Sequence, residues 1–391
     1  MKKNKLKALC LFFIVIKSFS AFAQDKDAGV VSFVKGNISE KISAVKNSAS
    51  SDSCLLSSLA LDFVIENSAF LGNDRDLCAL AVATVLSLPQ NEELLSKDFP
   101  DITEKLSRIF LSFDDETVGV AVLGKIESLT NVPSQTVSMI DDYIASSEKN
   151  KKSFSVIKKA LEVIEKKGTE KSFRIVWNLW KNNSLPELDL PLENTLISLS
   201  AKYPTEVISL ISQSEINVTG RYIDSIKKSD NISLNFKAEI AENALLGIIY
   251  YDGDLTENSS LLIDLPLDCV KIISKANWTR SASLVVRYFS MAKEQFQNQK
   301  MTAGQFIEVI NCLTTLSSSE SVKALSGYLS ELNEQVEKNS VLNQEVVLAL
   351  IKSLGVLGDK SAFDNLLYVT YLNYPEEIKN AARDSLAKLK W

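Results

Sequence analysis

Apolar residues recur at steps of three and four along nearly the whole chain, the spacing that gives a helix one buried face. The clearest run lies near the C-terminus. Asn343 starts a helix whose apolar residues are Val346, Val347, Leu350, Ile351, Leu354 and Leu357. Gly358-Asp359 stops it, because glycine takes a positive φ at no steric cost. A second helix carries Ala362, Phe363, Leu366, Leu367, Val369 and Tyr371. Asn373-Tyr374-Pro375 then breaks the chain and restarts it, with proline suited to the first turn of a helix. A third helix carries Ile378, Ala381, Ala382, Leu386 and Leu389, and the chain ends at Trp391.

Fainter copies of this two-helix rhythm lie upstream. Gly168 to Phe173 matches Gly358 to Phe363 in spacing and follows a helix carrying Val156, Ile157, Ala160, Leu161 and Ile164. Tyr203-Pro204-Thr205-Glu206 echoes Tyr374-Pro375-Glu376. First-helix anchors fall near Leu86, Ile126, Ile164, Leu199, Ile248, Leu313 and Leu354, a spacing close to the ~40–47 residues of helical-hairpin repeats. The longer gap between Ile248 and Leu313 contains Leu265-Pro266 and predicts an irregular unit. One hairpin cannot bury its apolar side alone, so neighbours must stack. The pattern predicts an all-α chain, an α-solenoid of stacked hairpins over residues 51–391. Residues 24–50 are polar, with a weak helical pattern at Val34, Ile38, Ile42 and Val45, and form a tether or an N-terminal cap.

The C-terminal unit resembles a known family. Ala349-Leu350, Leu354-Gly355, Leu357-Gly358-Asp359, Ala362 and Leu366 look like the HEAT-like repeat of the phycobilisome-lyase type. In that family a first helix ends in a Leu-Gly…Gly-Asp turn and an alanine opens the second. Glu376 to Leu389 looks like the first helix of a following unit. The resemblance covers residues 343–389 and implies a HEAT-like superhelix. It implies no lyase activity, since no residues match a catalytic motif.

The first 23 residues read as a targeting segment. Lys2, Lys3, Lys5 and Lys7 precede an apolar core from Ala8 to Ile16, and Ala21-Phe22-Ala23 supplies small residues at a cleavage site. That core is shorter than the ~20 residues needed to span a bilayer. Cleavage after Ala23 is expected, leaving Gln24 first and placing the protein in the periplasm or outside the cell. Cys10 lies inside the apolar core, the wrong place for lipidation. No later stretch is long and apolar enough to cross a membrane. Removing this segment, with its five lysines and no acid, takes the formal charge from −6 to −11. So acidic a chain repels phosphate backbones, which argues against nucleic acid as a partner. Four cysteines remain, Cys54, Cys78, Cys269 and Cys312. The first two fall near the starts of successive antiparallel helices, about 20 Å apart by helix rise and beyond bridging distance. Buried small hydrophobes are the expected role of most of these cysteines.

Histidine is absent, which removes the usual Ser-His-Asp and Cys-His chemistry and zinc sites that need imidazole. There is no CxxC pair, phosphate loop, GxGxxG or GxSxG, so no cofactor, metal or catalytic residue is expected. Asp252-Gly253-Asp254 with Glu257 places carboxylates at alternate positions but departs from the calcium-loop pattern, and a solvated turn is expected. Asp114-Asp115-Glu116 reads as charge at a helix start. From Lys149 to Lys181, ten basic residues face three glutamates. Lys158, Lys159, Lys166, Lys167, Lys171 and Arg174 are therefore candidates for capturing an acidic partner, against the plainer role of a solvated helix face. Phe173, Trp177 and Trp180 share one helix and are expected in the core. The preferred function is a non-catalytic scaffold that binds another envelope protein. Two other readings stay open: a helical α/α-toroid enzyme acting on glycans through paired carboxylates, and a peripheral factor held to an anionic membrane surface by the basic stretch.

Overall fold

The structure, a computed structural model, describes residues 29–48, 53–71, 74–147, 152–251 and 260–390. The targeting segment and its cleavage site, Lys149, Lys151, Asp252 to Asp254 with Glu257, and Trp391 lie outside them. The chain divides into two compact units, Met1–Leu199 and Ser200–Trp391.

In the first unit a helical stretch over residues 29–35 precedes α1 (Ile38–Asn47), α2 (Ser53–Leu71), α3 (Arg75–Ser87) and α4 (Glu92–Asp98). Next come α5 (Ile102–Ser112), α6 (Glu116–Ser128), α7 (Ser134–Ser146), α8 (Phe154–Lys167), α9 (Glu170–Lys181) and α10 (Asp189–Ser200). These helices stack in two rows. One row runs α1, α3, α6, α8, each packed on the next, and the other runs α2, α5, α7, α9. The rows face each other through α2 on α3, α5 on α6 and α7 on α8. The short α4 is an insertion between hairpins.

The second unit repeats this plan. Its helices are α11 (Pro204–Ser212), α12 (Ile216–Lys228), α13 (Leu234–Ile249), α14 (Leu261–Lys275), α15 (Ala282–Gln297), α16 (Ala303–Leu316), α17 (Ser319–Glu337), α18 (Gln344–Leu357), α19 (Phe363–Tyr371) and α20 (Glu376–Leu386). One row runs α12, α14, α16, α18, α20, and the other α11, α13, α15, α17, α19. Among the described residues the only β pairing is a single bridge, Asp359 to Lys390. Each unit is thus an all-α, solenoid-like stack of helical hairpins. The repeat length shows directly in polar contacts between successive hairpins. Lys105–Asp62, Lys125–Pro89 and Lys166–Glu127 join residues 43, 36 and 39 apart in the first unit. Lys227–Asp268, Lys293–Glu331 and Tyr374–Asn333 join residues 41, 38 and 41 apart in the second.

Local chemistry sets the helix ends. Asp74, Asp115 and Asn343 accept hydrogen bonds from first-turn amides, and Thr302 with Gln305 forms a capping box. Gly358 closes α18 in the left-handed region at φ 68°, the conformation its sequence position predicted. At the N-terminal end the buried Lys41 ammonium donates to the carbonyls of Phe33 and Val34. It also lies 4.8 Å from the ring centroids of Phe33 and Phe63. Burial pushes its pKa down, while the carbonyls at a helix end and the aromatic faces favour the charge.

Three expectations need correction. Leu86 is not a core anchor: it is 68% exposed, whereas Ile126, Ile164, Leu199, Ile248, Leu313 and Leu354 are buried. Ile248 lies on α13, in the second row, so its hairpin partner was misplaced. Among the described residues the gap before Leu313 holds two helices, α14 and α15, which continue the two rows. Pro266 sits inside α14 and removes only one backbone bond near the helix start. Tyr371, the last residue of α19, is 75% exposed rather than part of the buried face.

Helices α18 and α20 approach closely at Gly355. A Cβ on Gly355 would lie 2.5 Å from Ser385 Oγ and 2.9 Å from its Cα, while Ser385 Oγ donates to the Ile351 carbonyl at 3.0 Å. Gly355→Val is expected to cost about 1–3 kcal/mol through forced separation of these helices. Thermal unfolding followed by circular dichroism should show the lowered Tm, and Ser385→Ala should recover little, because the clash includes backbone.

Candidate functional site

The basic stretch lies on α8 and α9. Lys159 Nζ bonds Glu127 on α6 at 2.5 Å and Glu162 at 2.8 Å, and Lys166 Nζ bonds Glu127 at 2.5 Å. Lys167 Nζ donates to the Thr130 carbonyl at 3.1 Å. Lys171 bonds Asp142 on α7 at 2.9 Å, and Arg174 bonds Glu170 within α9 at 3.2 Å. Lys158 is exposed, with no hydrogen bond or ion pair among the described residues. The six residues therefore do not form one face. Lys159 and Lys166 reach into one row, and Lys171 reaches into the other. Burial pushes the Glu127 carboxyl up, but hydrogen bonds from Lys159 and Lys166 outweigh it and hold the pKa below the usual 4.5.

Phe173, Trp177 and Trp180 are core. Their exposures are 0%, 2% and 1%, and the rings follow one another at 6.2 and 5.7 Å between centroids. Cys78, Cys269 and Cys312 are buried, and Cys54 is half-buried. Asp115 caps α6: its Oδ1 accepts from the amides of Thr117 and Val118 at 2.9 and 3.0 Å. Glu116 accepts from Ser153 Oγ at 2.8 Å.

A cleft of 820 Å³ opens where the start of α6 meets the ends of α5 and α7 and the start of α8. Asp114 and Lys152 stand on its walls, 3.7 Å apart. The Lys152 ammonium also lies 5.1 Å from the Tyr143 ring centroid, and burial pushes the Tyr143 hydroxyl up to about 12. Leu111 and Phe154, at 69% and 47% exposure, line the same cleft. Sequence reasoning missed both, although a signal was present. The buried stripe of α5 is Leu106, Ile109 and Phe110, continued by Phe113, and Leu111 falls outside it. Phe154 likewise precedes the stripe Val156, Ile157, Ala160, Leu161 and Ile164 of α8. A large apolar residue off the buried stripe marks a surface with another use.

A second cluster, in the other unit, was also missed. Glu242 Oε2 accepts from Trp278 Nε1 at 3.1 Å and from Arg280 Nε at 2.8 Å, and the guanidinium lies 4.4 Å from the Trp278 ring centroid. Burial pushes the Glu242 carboxyl up, but the hydrogen bonds from Trp278 and Arg280 outweigh it and lower the pKa. Like Glu127, it joins successive hairpins. No three His, Cys, Asp or Glu residues gather as a metal site among the described residues. No described helix is long and apolar enough to cross a membrane.

No protein-family model matches the chain, and no curated protein matches it. Among solved structures, it is similar to an engineered protein from the Northeast Structural Genomics Consortium. Identity is 12%, coverage is 90% of this chain and 98% of that one, and the TM-score is 0.36. A computationally designed self-assembling cyclic homooligomer is also similar, at 13% identity over 79% of this chain and 97% of that one, with a TM-score of 0.12. Likenesses this distant carry no weight for fold or function.

Two carboxylates should respond oppositely to neutralisation. Glu127 has a depressed pKa, so its contribution is present above 4.5 and is lost as pH falls through the folded value. Glu127→Gln is expected to cost about 1–2 kcal/mol at neutral pH, with the difference closing in acid. Asp141 on α7 is 1% exposed, and its oxygens lack a well-aligned hydrogen bond among the described residues. Burial raises its pKa, with Asp142 adding to the rise, against the Ser172 hydroxyl and Lys171. Its contribution is therefore greatest below 3.8 and is lost as pH rises through the folded value. Asp141→Asn should raise stability at neutral pH and change nothing in acid. Urea unfolding of both variants across pH measures the two signs.

Proposed function

We propose that this chain is a non-catalytic, extracytoplasmic scaffold or binding protein whose HEAT-like hairpins offer a surface to another envelope protein. The observation that carries the reading is the contrast between its charged and apolar surface groups. Glu127, Glu242, Lys159 and Lys166 are engaged in joining hairpins, whereas Leu111 and Phe154 stand exposed in a cleft. Apolar groups held open to water on a rigid stack lose unfavourable hydration when a partner covers them. The lysine-rich start, apolar core and Ala21-Phe22-Ala23 support export. The lack of histidine and of nucleophile or phosphate-loop motifs supports binding rather than catalysis.

Expression of the full chain with its own N-terminus should yield a processed form beginning at Gln24 outside the cytoplasm, identified by N-terminal sequencing. Gentle cross-linking in the envelope should then capture a protein partner, identified by mass spectrometry. Leu111→Asp combined with Phe154→Asp should reduce that capture at least tenfold at unchanged melting temperature. A chain retained in the cytoplasm, or capture unchanged by the double substitution, would overturn the reading. Loss of capture in Lys158→Glu/Lys167→Glu instead would move the surface to the basic stretch.

A further inference from the structure

In the second unit, four helix ends meet around a small cleft of 280 Å³: the end of α17, the start of α18, the end of α19 and the start of α20. Val336, Leu342, Val347, Pro375 and Ile378 give it an apolar lining, of which Val347 and Ile378 are buried. Residues 336–347 and 373–378, which form its walls, all lie among the described residues. Tyr374 also lines it, and its hydroxyl donates to Asn333 Oδ1 at 3.0 Å, so that wall is fixed in place. The volume falls below the ~300–1,000 Å³ of small-molecule sites. It suits a single apolar side chain.

Exposed apolar and aromatic groups accompany the cleft. Val341, in its lining, is 99% exposed. Tyr368 and Tyr371 stand one turn apart on α19, both exposed. The Tyr368 hydroxyl donates to the Glu337 carboxylate, which ties the ring to the end of α17. Tyrosine gives a large contact area at little loss of side-chain freedom, and it is enriched at protein interfaces. Charge then selects the occupant. Glu334 and Glu337 lie in the last turn of α17, Glu345 in the first turn of α18 and Glu377 in the first turn of α20. All are exposed, and none has an ion pair among the described residues. The cations beside them are Lys338, the half-buried Lys379, and Arg383, which Glu376 already holds at 2.7 Å. Free carboxylates therefore outnumber free ammonium groups around the cleft. They repel an acidic segment, whereas lysine or arginine gains from these carboxylates and from the faces of exposed tyrosines.

We propose that this surface docks a basic segment of a partner protein, with one bulky apolar side chain in the cleft and flanking lysine or arginine side chains on Tyr368, Tyr371 and the surrounding carboxylates. It lies in the second unit and does not depend on the Leu111 and Phe154 cleft of the first. The probe is a fluorescein-labelled, amidated peptide with a central leucine between two pairs of arginines, titrated into the full chain at low salt and followed by fluorescence anisotropy. Binding should saturate at one peptide per chain. Glu334→Arg combined with Glu377→Arg should weaken it at least tenfold, and Tyr371→Ser about fivefold. These side chains are exposed, so both variants should melt as the wild type does. Replacing the central leucine of the probe with glycine should also weaken binding, while Leu111→Asp with Phe154→Asp should leave it unchanged. The proposal fails if the wild type does not bind the probe, if a probe with glutamates for arginines binds as tightly, or if the charge reversals leave the Kd unchanged. Sedimentation showing self-association that the same reversals abolish would assign the surface to a second copy of the chain and overturn the proposal.

Discussion

The structure depends on one constraint: a two-helix hairpin of this composition has more apolar surface than its own two helices can cover. Val346, Leu350 and Leu354 on α18 are buried only because α16, α17 and α20 also pack against that helix. The same holds for Ile157, Ala160 and Ile164 on α8, flanked by α6 and α7. Within each unit, stability is therefore shared between neighbours, and each hairpin depends on the next. Small residues tune the spacing. Gly119 lets Val156 approach in the first unit, and Gly220 and Gly355 do the same for Leu261 and Ser385 in the second.

Polar chemistry follows that stacking. Apolar packing is non-directional and leaves the register between hairpins loosely specified, whereas hydrogen bonds at the edges of the rows are directional. Glu127 gathers two lysines from α8. Glu92 accepts from Thr130 and Asn131 in the next loop, and Asn365 donates to Ser326. These groups are spent on alignment. Exposed apolar groups such as Leu111 and Phe154 stand beside the charged Asp114 and Lys152 in the cleft at the start of α6.

Much of this was legible in the chain. Helix content, the hairpin rhythm, the capping roles of Asn343 and Asp115, the left-handed turn at Gly358 and the burial of Trp177 and Trp180 all follow from short-range rules. Periodicity also separates buried stripe from surface, which is why Leu111 and Phe154 were detectable in principle. Leu86 and Ile248 mark where such reading fails. Both are apolar and helical, but one is exposed at a helix end and the other belongs to the opposite row.

By itself the sequence determined that this is a chain of capped amphipathic helices, since those preferences act over three or four residues and need no distant partner. Only the tertiary structure decided where the charges go. Lys159 and Lys166 read as a basic surface until Glu127, from the preceding hairpin, is seen between them. Trp278 takes its role from Glu242, 36 residues earlier in the chain. The clefts, too, are set by how separate helices end against one another. A local periodicity says which face a residue takes, but electrostatics and cavities depend on which other faces arrive there, and that is fixed by packing across about forty residues of intervening chain.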